Sequence, residues 1–290
     1  MAEPLPICLL NGEYLALRDA RISPLDRSFL YGDGVYEVMP VFAGRPFRFV
    51  EHCDRLARSL AEVRMKNPHT RERWRALVAT LIARNGGGDQ YVYLQVSRGA
   101  EYGRSHAPLP QIEPTVFGFC APLPRLSAAK RATGHACITA ADTRWDRCDI
   151  KSVSLLANVL LRQLAVDAAA DETILLREGW LTDASASAVH IVVAGKMVSP
   201  PYSHQLLPGT TRAVTEELAV RIGVPVERRP VHEAELRGAD EIWLSAATRD
   251  LHAVTRLDGQ PVGAGMPGPV WKRVSDAFES LKSELADQPW

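Results

Sequence analysis

A strand-like stretch, one lysine and an apolar helical pattern follow one another in the middle of this chain. Residues 135–143 are short and partly β-branched, as in a half-buried strand. After Ser152, a suitable helix cap, apolar residues recur at three-, four- and five-residue intervals, which puts most of them on one face of a helix. They are Leu155, Leu156, Val159, Leu160 and Leu164. Lys151 is therefore predicted to lie at a strand-to-helix junction.

Lysine is rare in this sequence, which makes Lys151 conspicuous. The chain has six lysines against 28 arginines, so its ordinary surface cations are arginines. The other five lysines fall at predicted helix ends, in a turn or on the polar face of the last helix. An amine held at a strand-to-helix junction can attack a carbonyl and form a Schiff base. The alternative is a surface lysine beside a helix cap.

Charge and cysteine content limit the classes of function. The chain has 34 basic and 34 acidic residues and shows no basic field for a nucleic acid or a membrane surface, so we expect small-molecule substrates. It shows neither a signal peptide nor an apolar run of membrane-spanning length, which predicts a soluble, cytoplasmic protein. The five cysteines have neither a CxxC pair nor zinc-site spacing, so we expect free thiols and no metal.

The length of 290 residues favours two domains. Residues 1–120 are predicted to form an N-terminal α+β domain, beginning with a hairpin around Asn11-Gly12. Its predicted elements are strands at 7–10, 14–17, 34–42, 46–49 and 91–97 and helices at 51–64 and 71–84. The proline-rich residues 121–133 are interpreted as the interdomain linker. Residues 134–290 are predicted to form a C-terminal α/β domain. Its predicted elements after the lysine helix are strands near 173–177, 180–183, 188–193, 197–199 and 240–245 and helices at 210–222 and 269–286.

The lysine segment resembles that of a known enzyme family. Residues 144–152, Arg-Trp-Asp-Arg-Cys-Asp-Ile-Lys-Ser, followed by Leu155-Leu156, are similar to the lysine segment of class IV pyridoxal-phosphate enzymes, most closely of their D-amino acid aminotransferase branch. The similarity extends from Asn11 to Trp271. It implies the two-domain fold-type IV architecture, α/β and α+β, with pyridoxal 5′-phosphate held by Lys151.

The resemblance also implies residues for the cofactor phosphate. Gly209, Thr210 and Thr211 match the family's phosphate loop, and Arg55 matches its phosphate-binding arginine. Taken alone, a glycine and two hydroxyls at the start of a helix suit a dianion, but an ordinary capped helix has the same pattern. Ala247 stands where the family usually has a further phosphate-binding threonine, so we expect looser cofactor retention.

A second departure concerns the pyridine nitrogen. Asp183 occupies the position where the family normally has a glutamate that faces this nitrogen. A carboxylate there keeps the ring protonated, so that the ring can accept electrons from the substrate α-carbon. Because aspartate is one methylene shorter, we expect a displaced ring or strand, or a bridging water.

Three residues are implied for the substrate. Tyr36 matches a tyrosine that faces cofactor and substrate. Arg104 and His106 match an Arg-x-His pair that, in the D-amino acid branch, comes from the neighbouring subunit and binds the substrate α-carboxylate, although this chain has one extra residue between Arg98-Gly99 and Arg104. The pair implies a homodimer and D-amino acid substrates, with D-alanine as donor and a 2-oxo acid such as 2-oxoglutarate or pyruvate as acceptor.

Other functions of the same fold stay open from the sequence. They are R-selective amine transaminase, branched-chain L-amino acid transaminase, aminodeoxychorismate lyase, and a weakly active or non-catalytic pyridoxal-phosphate-binding protein. Branched-chain aminotransferases bind the carboxylate with other groups, and amine transaminases need no carboxylate clamp. The binding protein is suggested by Asp183 together with Ala247.

Overall fold

The computed structural model describes residues 3–285, which fall into two compact units. The first unit contains the described residues up to Pro124 together with Ile150–Leu155, and the second contains Arg125–Asp149 and Leu156–Glu284. The outermost residues of the two predicted domains, 1–2 and 286–290, lie outside the described residues, as does residue 286 of the predicted last helix. The predicted domain limits at 120 and 134 stay a prediction.

The first unit is built on one antiparallel sheet of six strands, in the order β2-β1-β6-β5-β3-β4. Its elements are β1 (Ile7–Leu10), β2 (Glu13–Ala16), α1 (Arg27–Tyr31), β3 (Gly34–Phe42), β4 (Arg45–Pro46), α2 (Phe49–Glu62), α3 (Arg71–Arg84), β5 (Gln90–Ser97) and β6 (Thr115–Pro122). The core lies where α2 and α3 meet the sheet, and its fully buried leucines include Leu56, Leu60, Leu77 and Leu81. Each such side chain contributes roughly 1.5–3 kcal/mol by leaving water.

Most predicted elements of the first unit are confirmed, with one correction. Asn11 and Gly12 have φ of 51° and 89°, the left-handed values that a tight hairpin turn needs. Helix α3 has the predicted bounds. The predicted strand at 46–49 is wrong beyond Pro46, because Arg48 turns the chain with φ 55° and Phe49 is already the first residue of α2.

The second unit is built on a mixed sheet of nine strands, in which eight run in the order β12-β11-β10-β13-β14-β7-β8-β9 and β15 pairs with β14. Its elements are α4 (Ala128–Thr133), β7 (His135–Ala141), α5 (Leu156–Asp167), β8 (Glu172–Arg177), β9 (Trp180–Ala184), β10 (Ala188–Val193), β11 (Lys196–Ser199), α6 (Thr210–Arg221), β12 (Val226–Arg228), α7 (Glu233–Arg237), β13 (Glu241–Ala246), β14 (Asp250–Leu257), β15 (Gln260–Pro261) and α8 (Pro269–Leu285). Parallel pairing occurs between β7 and each of β8 and β14, and between β11 and β12.

The helix after the lysine differs from its prediction in two respects. It begins at Leu156, so Ser152 does not cap it; Ser152 instead forms an isolated antiparallel bridge with Val35. The apolar residues that defined the predicted face are largely exposed, Leu156 at 72% and Leu160 at 60%, whereas the buried residues are Leu161 and Ala165. Periodicity found the helix but not the side that packs.

None of the helices in the described part of the chain combines the length and the hydropathy that a membrane span requires. The five cysteines all lie in this part; they are buried and free, as the sequence predicted. Burial raises the pKa of the Cys148 thiol to about 11. Cys148 is therefore a small apolar residue near Lys151, as expected, rather than a nucleophile.

Candidate functional site

In the first unit, the segment that carries Lys151 lies along the beginning of β3. Tyr36 N–H donates to the Lys151 carbonyl at 2.9 Å, and Val153 N–H donates to the Gly34 carbonyl at 3.0 Å. Lys151 N–H in turn donates to Ser59 Oγ on α2 at 3.3 Å. Hydrogen bonds on both sides of Lys151 therefore fix the backbone of a residue that lies outside any regular element.

The Lys151 amine lies over the ring of Tyr36. Nζ is 4.2 Å from the ring centroid, a distance at which an ammonium is attracted to the aromatic face. The Tyr36 ring stacks on Tyr93 at 5.5 Å, and the Tyr93 hydroxyl donates to Gln95 Oε1 at 2.7 Å. The structure thus brings Tyr36 and Lys151 together, as the sequence predicted, and holds the tyrosine ring from its other face.

Beneath Tyr36, a buried charged cluster joins β3 to α2. Nε and Nη2 of Arg55 donate to the two carboxylate oxygens of Glu37 at 2.8 and 2.7 Å. His52 Nδ1 lies 2.7 Å from Glu37 Oε2. Burial alone would raise the pKa of Glu37, but the Arg55 guanidinium outweighs it and lowers that pKa to about 2. Since an ionised carboxylate only accepts, His52 Nδ1 must be the donor.

The sequence identified Arg55 but not its partners. Glu37 lies on the same face of β3 as the buried residues Val35 and Met39, and strand alternation is the signal that could have shown it to be buried. His52 lies one helical turn before Arg55 on α2. The Nε edge of the Arg55 guanidinium is occupied by Glu37, so Glu37 determines where this arginine points.

Replacing Glu37 by glutamine is expected to destabilise the protein by about 3 kcal/mol, because it leaves the buried Arg55 charge without its counter-ion. The measurement is urea unfolding at pH 7. The pKa of Glu37 falls from an ordinary 4.5 to about 2 on folding, so its contribution is complete above pH 4.5 and is lost as the pH falls towards 2. The stability gap between wild type and variant should therefore close on acidification.

Glu51→Gln is the matched control, since Glu51 pairs with Arg48 at 2.8 Å but its side chain is 44% exposed. We expect this control to cost less than about 1 kcal/mol. Equal losses in the two variants would contradict a structural role for the buried cluster.

Arg104 and His106 lie on an exposed loop of the first unit, after β5. Both side chains lie near the ring of Tyr31. The Arg104 guanidinium carbon is 5.3 Å from the ring centroid, and the His106 ring centroid is 5.7 Å from it. The structure therefore brings the two predicted carboxylate-binding residues to the same aromatic side chain.

In the second unit, Asp183 lies on β9 and is 6% exposed. Burial raises its pKa to about 6, although the Arg144 guanidinium acts in the opposite direction. Arg144 makes only one long contact with it, 3.4 Å from Nη1 to Oδ2. The better donors of Arg144, Nε and Nη2, go to the two oxygens of Asp142 at 2.9 Å each. Sequence reasoning missed this competition, because Asp142 precedes the recognised motif.

Helix α6 begins beside the same carboxylate. Gly209 is its N-cap residue, and Thr210 and Thr211 form its first turn. Leu207 N–H, two residues before the helix cap, makes a long contact of 3.5 Å with Asp183 Oδ2. The structure thus brings Asp183 near the start of α6, as expected for residues predicted to serve one ligand. Ala247 lies in the turn between β13 and β14.

The donor sets of the two units suit the chemistry of pyridoxal 5′-phosphate. The first unit offers an amine for a carbonyl, at Lys151, beside an aromatic ring. The second offers a buried carboxylate for a pyridinium nitrogen, at Asp183, and a glycine-capped helix start whose amide groups and dipole favour a dianion. The residues present therefore fit the cofactor that the sequence implied.

Known proteins resemble this chain over nearly its whole length. The sequence model of the amino-transferase class IV family matches residues 34–257. The D-alanine aminotransferase of Bacillus licheniformis is 34% identical over 279 residues, covering 96% of this chain and 98% of that protein. The D-alanine aminotransferase of Listeria innocua is 36% identical over 273 residues, covering 93% of this chain and 94% of that protein.

Solved structures show the same fold. A thermophilic (T.th.) branched-chain amino acid aminotransferase, crystallised with pyridoxamine 5′-phosphate, matches with a TM-score of 0.90 at 24% identity, covering 96% of this chain and 95% of that chain. This likeness confirms the predicted fold-type IV architecture, with its α+β and α/β parts.

Proposed function

The chain belongs to the class IV aminotransferase family, and from this premise we propose that it transaminates D-amino acids, with D-alanine as donor and 2-oxoglutarate or pyruvate as acceptor. It is a pyridoxal-phosphate-dependent enzyme of fold type IV. The observation that carries the D-amino acid assignment is its near full-length similarity to D-alanine aminotransferases. The placement of Arg104 and His106 beside one tyrosine supports it.

The proposed roles follow from the chemistry of each side chain. Bound pyridoxal 5′-phosphate supplies a carbonyl for the substrate amine and a ring that accepts the electron pair released at the substrate α-carbon. Lys151 holds the cofactor between turnovers and takes the proton from that α-carbon. Tyr36 supports the Lys151 amine through its ring face, 4.2 Å away, and orients the substrate.

The remaining proposed residues bind charge. Asp183 holds the proton of the pyridine nitrogen, which stabilises negative charge developing at the substrate α-carbon. Arg55, together with the start of α6 at Gly209, Thr210 and Thr211, binds the phosphate.

Arg104 and His106 bind the substrate carboxylate, and we propose that they do so across a homodimer. A second observation supports the dimer. Helix α5 leaves an apolar side exposed, with Leu156 at 72% and Val159 at 60%, and a contiguous apolar patch of this kind marks an interaction surface. A two-fold dimer would cover the same patch on both copies.

The proposal is tested by adding one amino donor at a time to the cofactor-loaded protein without acceptor. We expect D-alanine to bleach the visible absorbance band of the bound cofactor, and L-leucine and (R)-1-phenylethylamine to leave it unchanged. Bleaching by L-leucine or by the amine instead would move the protein to the branched-chain or amine transaminases. No response to any donor, followed by pyruvate release from aminodeoxychorismate, would identify the lyase.

A further inference from the structure

The loop that carries Arg104 and His106 is closed upon itself by one carboxylate. This loop, defined as residues 101–109, follows Gly99, whose carbonyl accepts from Arg27 N–H at 2.8 Å. Glu101, the first loop residue, accepts through Oε2 from the N–H of the last, Leu109, at 2.9 Å. Glu101 is 8% exposed although the residues after it are exposed. The two ends of the loop are therefore tied together.

A buried arginine holds the middle of the same loop. Arg27 is 3% exposed, and its Nη1 donates to Glu101 Oε1 at 2.5 Å and to the Ser105 carbonyl at 2.7 Å. Its Nη2 donates to the His106 carbonyl at 3.0 Å, and its Nε to Asp33 Oδ2 at 2.9 Å. One guanidinium thus fixes the backbone immediately after Arg104 and at His106 itself.

The side chains follow from this backbone. The Arg27 guanidinium carbon is 4.6 Å from the centroid of the Tyr31 ring, the ring that also contacts Arg104 and His106. Tyr31 is in α1, the helix that begins with Arg27. Helix and loop are therefore held together by a ring contact as well as by the hydrogen bonds.

Only arginine suits the centre of this arrangement. Its planar fork presents five N–H donors, and Arg27 directs them to four acceptors in different directions. A lysine has three donors on one atom and cannot reach all four. Asp33 is anchored independently, because Arg98 Nε also donates to it at 2.7 Å.

We propose that Arg27 and Glu101 are positioning residues for the substrate carboxylate, which set the placement of Arg104 and His106 without touching the substrate. This rests on the proposed function of those two residues. It also accounts for the extra residue that the sequence shows before Arg104, since the longer segment is closed by Glu101 and held by Arg27.

The test is steady-state kinetics of the cofactor-loaded protein with D-alanine and 2-oxoglutarate, which both carry an α-carboxylate. In Arg27→Lys and Glu101→Gln we expect KM for both substrates to rise by on the order of 10- to 100-fold, the effect of displacing a binding group by about 1 Å. Cofactor affinity and Tm should stay near the wild-type values. Arg21→Lys is the matched control, because Arg21 also donates to two backbone carbonyls, at 2.8 and 2.9 Å, but is exposed.

Unchanged KM in both variants would overturn the proposal. Parallel losses of Tm, cofactor affinity and activity would also overturn it, because they indicate a purely structural pair.

A physical measurement separates this proposal from the function on which it rests. Limited trypsin digestion, read by mass spectrometry, reports the mobility of the loop through cleavage after Arg104. We expect faster cleavage there in Arg27→Lys and Glu101→Gln than in wild type and in Arg21→Lys. Equal cleavage in all four proteins would reject the anchoring. A wild type that is inactive on D-alanine but shows the expected cleavage pattern would reject the proposed function alone.

Discussion

Replacement of Lys151 by alanine is expected to lower turnover by about 10⁴-fold, the upper end for loss of a positioned proton-transfer group. The loss should be this large because one amine is proposed both to hold the cofactor and to move the α-carbon proton. The fold should tolerate the change. The contacts that fix residue 151 use its backbone, namely the carbonyl to Tyr36 and the N–H to Ser59.

The measurements are kcat with D-alanine and mass spectrometry after borohydride reduction. Wild type should gain the mass of one covalently reduced cofactor, and the variant should not. Lys66→Ala is the matched control, since Lys66 is a lysine of the same unit outside the proposed site. Addition of a small primary amine should restore part of the turnover of Lys151→Ala, which a misfolded variant would not show. If the variant still acquires the covalent mass, the assignment of Lys151 is wrong.

The sequence predicted what is local in this site. Lys151 was conspicuous because a strand, a lysine and a helical pattern follow one another within 30 residues. The start of α6 was recognisable because Gly209, Thr210 and Thr211 are consecutive. In each case the chemistry and the backbone geometry lie in one short stretch of chain.

What the sequence could not show depends on pairing between distant segments. Glu37 and Arg55 meet because of how α2 packs on β3, and Arg27 meets Glu101 across 74 positions of sequence. The exposed side of α5 was misjudged for a related reason. Periodicity identifies an apolar face but not the surface that covers it.

The acidity of Asp183 is also a tertiary property. Its pKa reflects burial, incompletely compensated because Arg144 gives two donors to Asp142 and one long contact to Asp183. On folding, the pKa rises from an ordinary 3.8 to about 6. The folded state is therefore favoured below pH 3.8, and this advantage is lost as the pH rises through 6. At pH 8, holding the ionised carboxylate costs the cofactor-free protein up to about 3 kcal/mol.

Asp183→Asn is accordingly expected to change stability and activity in opposite directions. At pH 8 the cofactor-free variant should unfold at higher urea than wild type, and this advantage should vanish as the pH falls from 6 towards 4. Turnover of D-alanine should fall by on the order of 10²–10³-fold, because the amide cannot hold the pyridine nitrogen protonated.

Asp183→Glu is the control, since it keeps the carboxylate and adds one methylene. We expect it to retain or raise turnover. If Asp183→Asn matched wild type in turnover, the carboxylate would have no part in the reaction. If neither wild type nor Asp183→Glu turned over while both bound the cofactor, the protein would be a binding protein rather than a transaminase. Because an asparagine that only relieves a buried charge leaves turnover intact, measuring stability and activity on the same three proteins separates structural strain from catalysis.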